Sequence, residues 1–225
     1  MLNKLFKMFK NIIFLDIETT GLDPIKNEII EMGAQRVTNY DGYEHVDFET
    51  NLLIRPSKVL SLPDIITKLT GITYEQLEKN GIDKERACVE MKKLLDVERP
   101  LIVAYNAQFD LSFLYYYLNE YKMTGILKNA RFLDALTIYR DRRDYPHRLE
   151  HAVDAYKLNI SNTHRALDDA QTTFELLKAM EEECDDLDRY INLFGYISRY
   201  GVSGMHIASV KYVPQSFIRD KKAYD

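Results

Sequence analysis

Apolar residues fall in short, dense blocks along this chain, separated by polar and glycine-bearing turns. Asn11–Asp16 (NIIFLD) is a compact apolar run closed by an acid, the pattern of a buried strand. A turn follows at Thr19–Pro24 (TTGLDP), and Glu28–Thr38 and Thr50–Ile54 predict two further strands joined by the polar Asn39–Glu49 segment. Together they predict an antiparallel meander. Asp64–Thr70 ends at Gly71, which predicts a short helix with a glycine stop.

The period then changes from two to nearly four. Thr73–Lys79 and Asp83–Leu95 predict helices, the second with Ala87, Met91, Leu94 and Leu95 as its apolar stripe. Leu101–Tyr105 (LIVAY) is again a buried strand, followed by a helix over about Gln108–Glu120. Arg131–Leu136 is a strand or strand–helix junction, and Leu149–Tyr156 and Asp168–Glu183 are helical. Strands first, then strands alternating with helices, predict an α/β domain with a mixed sheet.

The pattern loosens after Glu183. Residues 1–182 are expected to form the main domain, with a core over about 11–180, and 183–225 a C-terminal extension. The boundary sits in Glu181–Asp188 (EEECDDLD), which holds six acids in eight positions. From Ser198 on, Arg199, Lys211, Arg219, Lys221 and Lys222 outnumber Asp220 and Asp225. At the other end, Met1–Lys10 has three lysines and no acid, and is expected to be a basic lead-in to the first strand. It lacks the uninterrupted apolar stretch of a signal peptide.

Composition narrows the function classes. The 225 residues are 46% hydrophobic, enough for a sizeable core, and no stretch approaches the roughly 20 apolar residues of a membrane span. A cytoplasmic protein with no membrane partner is expected. Cys88 and Cys184 stand alone, which excludes a disulfide framework or a cysteine-based zinc cage. The net charge of -5 argues at face value against nucleic-acid binding.

Three constellations carry chemistry. Asp16 and Glu18 are two apart at the end of a strand, so both carboxylates share one face. Adjacent acids repel unless a cation sits between them, and hard divalent cations take oxygen ligands. Asp110 opens the helix after the LIVAY strand, where an acid also complements the helix dipole. His164 precedes a helix whose first turn carries Asp168 and Asp169. Capping alone accounts for such residues, and spacing does not choose between the two acids.

In that order the motifs resemble the DEDDh branch of the DnaQ-like 3′–5′ exonuclease superfamily. Phe14–Leu22 (FLDIETTGL) is similar to its first motif, Glu28–Ala34 (EIIEMGA) to its second strand and Leu69–Thr73 (LTGIT) to a family turn. Asn106–Asp110 (NAQFD) and His164–Ala170 (HRALDDA) resemble the remaining motifs. The resemblance spans about Asn11–Met180. It implies a ribonuclease H-like mixed five-stranded sheet flanked by helices. It makes Asp16, Glu18, Asp110 and Asp169 the ligands of two Mg²⁺ or Mn²⁺ ions, and leaves Asp168 a supporting residue. Two ions about 3.5–4 Å apart clamp the attacking and leaving oxygens of a phosphodiester. His164 is then the general base.

By the same resemblance, Thr19, Thr20, Gly21, Leu22, Asn106 and Phe109 meet the terminal nucleotide, although core packing suits Phe109 equally. Many relatives have histidine where this chain has Tyr105, which is expected to support the site. The arginines of Tyr139–His151 are either a solvated face or a wall of a single-strand groove. The implied activity is release of nucleoside 5′-monophosphates from single-stranded DNA or DNA 3′ ends. RNA trimming by the same site and a non-catalytic polymerase-binding module are the alternatives. A proofreading role requires a DNA polymerase subunit as partner. With four acids assigned to metal, the remainder nearly balances the 30 basic residues, so the net charge no longer excludes nucleic acid.

Overall fold

The computed structural model describes residues 1–160, 164–215 and 221–225. Its centre is a five-stranded sheet in the order β3-β2-β1-β4-β5. The strands are β1 (Asn11–Thr19), β2 (Ile29–Tyr40), β3 (Tyr43–Leu53), β4 (Leu101–Ala104) and β5 (Arg131–Asp134). β2 runs antiparallel to both β1 and β3, whereas β4 lies parallel to β1 and β5 parallel to β4. This is the mixed five-stranded, helix-flanked sheet that the motifs imply.

The alternation of β1 sorts its side chains between two cores. Ile13, Leu15 and Ile17 pack with α4 (Lys84–Leu95) and α5 (Ala107–Glu120). Ile12 and Phe14 pack on the other face with α8 (Ala166–Glu183), where the Phe14 and Phe174 rings are 4.9 Å apart. Asp16 and Glu18 continue the second series, so they emerge on the α8 side. Because β1, β4 and β5 are parallel, their carboxyl ends share one edge of the sheet, and α5 and α6 (Ala135–Arg142) both start there.

The glycine stop appears as expected. α2 (Asp64–Thr70) ends at Gly71 with φ +70°. α3 (Tyr74–Asn80) carries a capping box between Thr73 and Gln76. α7 (Leu149–Ala155) follows β5 and α6.

Two expectations are corrected. Residues 39–49 are not a connecting loop: β2 and β3 continue almost to their turn at Asp41-Gly42, where both residues have positive φ (52° and 85°). Asp-Gly favours that hairpin turn. β3 reads as polar because it is an edge strand whose Tyr43 and Val46 are exposed. The N-terminal segment is not merely a lead-in. It forms α1 (Asn3–Met8), with Leu2, Leu5 and Phe9 buried against the sheet. Their three- and four-residue spacing is helical, and that face needs a core to bury it.

Residues after Glu183 pack back on the rest. Tyr190 and Phe194 are fully buried, and β6 (Leu193–Tyr196) pairs in parallel with β7 (Lys211–Pro214). Arg142, with a side chain 3% exposed, pairs with Glu183 and Asp186 of the acid run, while Lys4 of α1 pairs with Asp188. The Tyr139–His151 arginines are therefore largely internal: Arg140 donates to the Gly195 carbonyl, Arg143 pairs with Glu183, and Arg148 is exposed. Arg219 and Asp220 of the basic tail lie outside the described residues. No helix of the described residues is long and apolar enough to cross a membrane.

Candidate active site

β1 delivers two carboxylates to the shared edge, and the first turn of α8 delivers a third. Ligand oxygens of Asp16, Glu18 and Asp169 all lie within 4.8 Å of one another. Asp169 enters the group, and Asp168 does not. α8 begins at Ala166, which turns Asp169 inward to 6% exposure and leaves Asp168 partly exposed. Asp110, 2% exposed in the first turn of α5, is close enough that its charge opposes ionisation of Asp16. The structure thus gathers Asp16, Glu18 and Asp169 of the four acids picked out by the motifs, with Asp110 buried outside that group of three.

Their environment disfavours four negative charges. Burial, then Asp110 and Asp169, hold the Asp16 carboxyl well above its ordinary range. Burial likewise raises Asp110, against amide hydrogen bonds from itself and Ile17. Glu18 is pushed up to about 8 by burial and by Asp169 and Glu31, and Asp169 to about 7 by burial and Asp168. Asp169 Oδ1 is buried without a hydrogen-bond partner. An all-oxygen donor set with an orphaned carboxylate oxygen suits a hard divalent cation.

His164 lies two residues before α8, partly exposed, with φ +51°. What anchors its segment is a residue to which sequence reading assigned no role. Glu31 of β2 has a fully buried side chain. It accepts from Arg165 Nε (3.0 Å) and Nη2 (2.6 Å) and from the Ala166 amide (3.1 Å). Gly33 lets α8 approach: a Cβ there would sit 1.9 Å from the Leu167 nitrogen. A charge inside the apolar IIEMGA run was the available signal, since a buried carboxylate needs a partner.

Asp134 was also missed. At the end of β5, 3% exposed, it accepts from the amides of Asn106 (3.0 Å) and Ala107 (3.1 Å) and caps α6 through Leu136 and Thr137. It ties the α5 start, held by Asn106 at φ +70°, to the end of β5.

The expected nucleotide contacts divide. Thr19 and Thr20 are buried: the Thr19 hydroxyl donates to the Gly21 carbonyl (2.7 Å), and the Thr20 hydroxyl accepts from the Glu28 amide (3.0 Å). They hold the turn that carries Gly21 and presents Leu22, 85% exposed. Asn106 is exposed, whereas Phe109 packs on Phe113 with ring centroids 4.9 Å apart. Tyr105 donates to the His147 carbonyl (2.9 Å) and so braces the loop beside α5.

A ribonuclease H-like α/β domain with an acidic cluster at the carboxyl end of its first strand is the class that fold and geometry define. Residues 13–177 match the family described as "Exonuclease". The chain belongs to that family and is a DEDD-type domain of the DnaQ-like 3′–5′ exonucleases, a nucleic-acid hydrolase. It is 38% identical over 173 residues to the PolC-type DNA polymerase III of Thermotoga petrophila, covering 75% of this chain and 12% of that protein. It is 32% identical over 179 residues to the PolC-type enzyme of Caldanaerobacter subterraneus, covering 78% and 12%. The chain therefore spans only about an eighth of the length of these curated relatives. Exonuclease I of E. coli, solved in complex with a dA16 oligonucleotide, shares the fold at a TM-score of 0.69 and 21% identity, over 81% of this chain and 43% of that one.

Proposed function

We propose that this chain removes nucleoside 5′-monophosphates from DNA 3′ ends, with two Mg²⁺ or Mn²⁺ ions held by Asp16, Glu18, Asp110 and Asp169. The observation that carries this reading is the convergence of three carboxylates within 4.8 Å, one with a buried, unpartnered oxygen. Bound there, the ions would supply Lewis-acid activation of water and charge stabilisation at the leaving oxygen.

The chain's own residues do the rest. The Glu31–Arg165 pair holds the segment that carries His164 and Asp169 against β2. A ring nitrogen of His164 takes the proton of the attacking water as the new P–O bond forms and the bond to the 3′-oxygen breaks. The exposed Leu22 and Asn106 line the approach of the terminal nucleotide, which Thr19, Thr20 and Gly21 shape from below and Phe109 supports from α5.

DNA is favoured over RNA because the relatives are named as DNA polymerases. The same names support work beside a DNA polymerase subunit, in the cytoplasm. The test offers 3′-labelled single-stranded DNA, mismatched duplex and RNA with Mg²⁺ or Mn²⁺. Mononucleotides from DNA are expected. Preferential cleavage of RNA would reassign the substrate, and no cleavage at all would leave a polymerase-binding module.

A further inference from the structure

The sheet has a second charged edge, opposite the acids. Where β4 and β5 begin, a cavity of about 640 Å³ has Lys7, Arg99, Lys128 and Arg131 as its only charged lining among the described residues. All four side chains are exposed, and among the described residues none is in an ion pair. We propose that this cavity is a second nucleic-acid site, which grips the sugar–phosphate backbone of a strand whose 3′ end lies at the acid cluster; the inference rests on the nuclease reading above.

The distribution of charge argues for an external anion. The chain has a net charge of -5, and Lys4, one turn before Lys7 on α1, pairs with Asp188. At the cavity four cations from three segments converge, and among the described residues no acid lines the space. Such convergence is repulsive unless an anion is present. Arg99 is held there with φ +44°, unusual for a non-glycine residue, in a turn braced by a hydrogen bond from Asn11 Nδ2 to the Glu98 carbonyl. The basic character of Met1–Lys10, unused by the catalytic reading, is thereby placed: docking α1 brings Lys7 to the cavity. A dispersed set of like charges suits a repeating phosphate backbone rather than a single compact ligand.

Topology sets a length requirement. Ile12 stands beside Leu101 at the basic end, and Glu18 lies six residues further along β1. At a rise of about 3.3 Å per residue the ends are roughly 20 Å apart, which an extended single strand, with phosphates at about twice the ~3.4 Å axial rise of a duplex strand, spans in on the order of three phosphates. Short strands reach the acids alone, and longer ones reach both edges.

The test compares the parent chain with a Lys7→Gln/Lys128→Gln/Arg131→Gln variant, its fold checked by thermal melting. Binding of labelled single strands of about 2 and about 20 nucleotides is measured in chelator over a salt series. The long strand is expected to bind the variant at least about tenfold more weakly, with a salt slope smaller by about 2, at about 0.7 per lost phosphate contact. The short strand and its cleavage with Mg²⁺ should be unchanged. An abasic long strand should behave like the long strand. Unchanged long-strand binding, or equal loss at both lengths, overturns the proposal. Loss of ATP binding with long-strand binding intact overturns it in favour of a free nucleotide. If the parent cuts nothing, the nuclease reading fails while these binding data still judge the second site.

Discussion

Two acidic regions of this protein have opposite electrostatics. At the end of β1, none of Asp16, Glu18, Asp110 and Asp169 is in an ion pair among the described residues; Arg165, paired with Glu31, only partly offsets the charge at Glu18, and all four carboxyls are held above their ordinary values. In the run at the end of α8, burial also opposes ionisation of Glu183 and Asp186. There, however, Tyr156, Arg143, Tyr224 and Arg142 supply hydrogen bonds and charge that bring both below their ordinary values. Glu181 belongs to the same run, has a buried oxygen without a partner, and is pushed up to about 7, first by burial and then by Asp185. Acid density is therefore not what distinguishes the regions. The difference is how much counter-charge the fold supplies, and where it supplies too little the site calls for an external cation.

The strongest way to break this comparison is Asp16→Asn. Metal-dependent cleavage should fall below detection, while the metal-free protein at pH 8 should melt at a higher temperature because repulsion is relieved. Cleavage that persists in this variant would remove the acid cluster from the chemistry. His164→Ala should cost about 10²–10⁴ in rate, with metal affinity by calorimetry unchanged, since it removes the base and not a ligand. On the other side, Arg142→Ala should destabilise the fold by about 3–5 kcal/mol in urea unfolding, because it leaves Glu183 and Asp186 without their buried partner.

The two regions should also titrate in opposite directions. Glu18 and Asp169 bind protons more tightly folded than unfolded. The metal-free fold should therefore lose stability as pH rises from about 4 to about 8, by on the order of a few kcal/mol. Glu183 and Asp186 have lowered values, so their contribution is present above the unfolded carboxylate range near 4 and is lost as pH falls below it. Added Mn²⁺ should flatten the upper slope and leave the lower one. Melting curves across pH with and without metal check this; an upper slope indifferent to metal would mean the cluster does not hold it.

Much of this architecture was legible in the residues. The apolar runs of β1, β2 and β4 and the amphipathic α4 are local signals, because burial imprints its period on neighbouring positions. The two-residue spacing of Asp16 and Glu18 put both on one face for the same reason. α1 was missed because its apolar face has meaning only beside the core that covers it. Most of β3 was missed because an exposed edge strand carries the polar residues of a loop.

By itself, then, the sequence determined β1, β2, β4 and most of the helices, and marked Asp16, Glu18, Asp110 and His164 as candidates, since each is encoded by residues near one another in the chain. Only the tertiary structure decided that Asp169 rather than Asp168 turns inward, and that Glu31 locks Arg165 across 134 positions. It alone decided that Glu183 and Asp186 of the acid run are paired from within while the cluster on β1 is not, and that basic residues from three segments face a single cavity. The reason is physical: charge is written locally, but its energy depends on burial and on partners that folding brings from elsewhere.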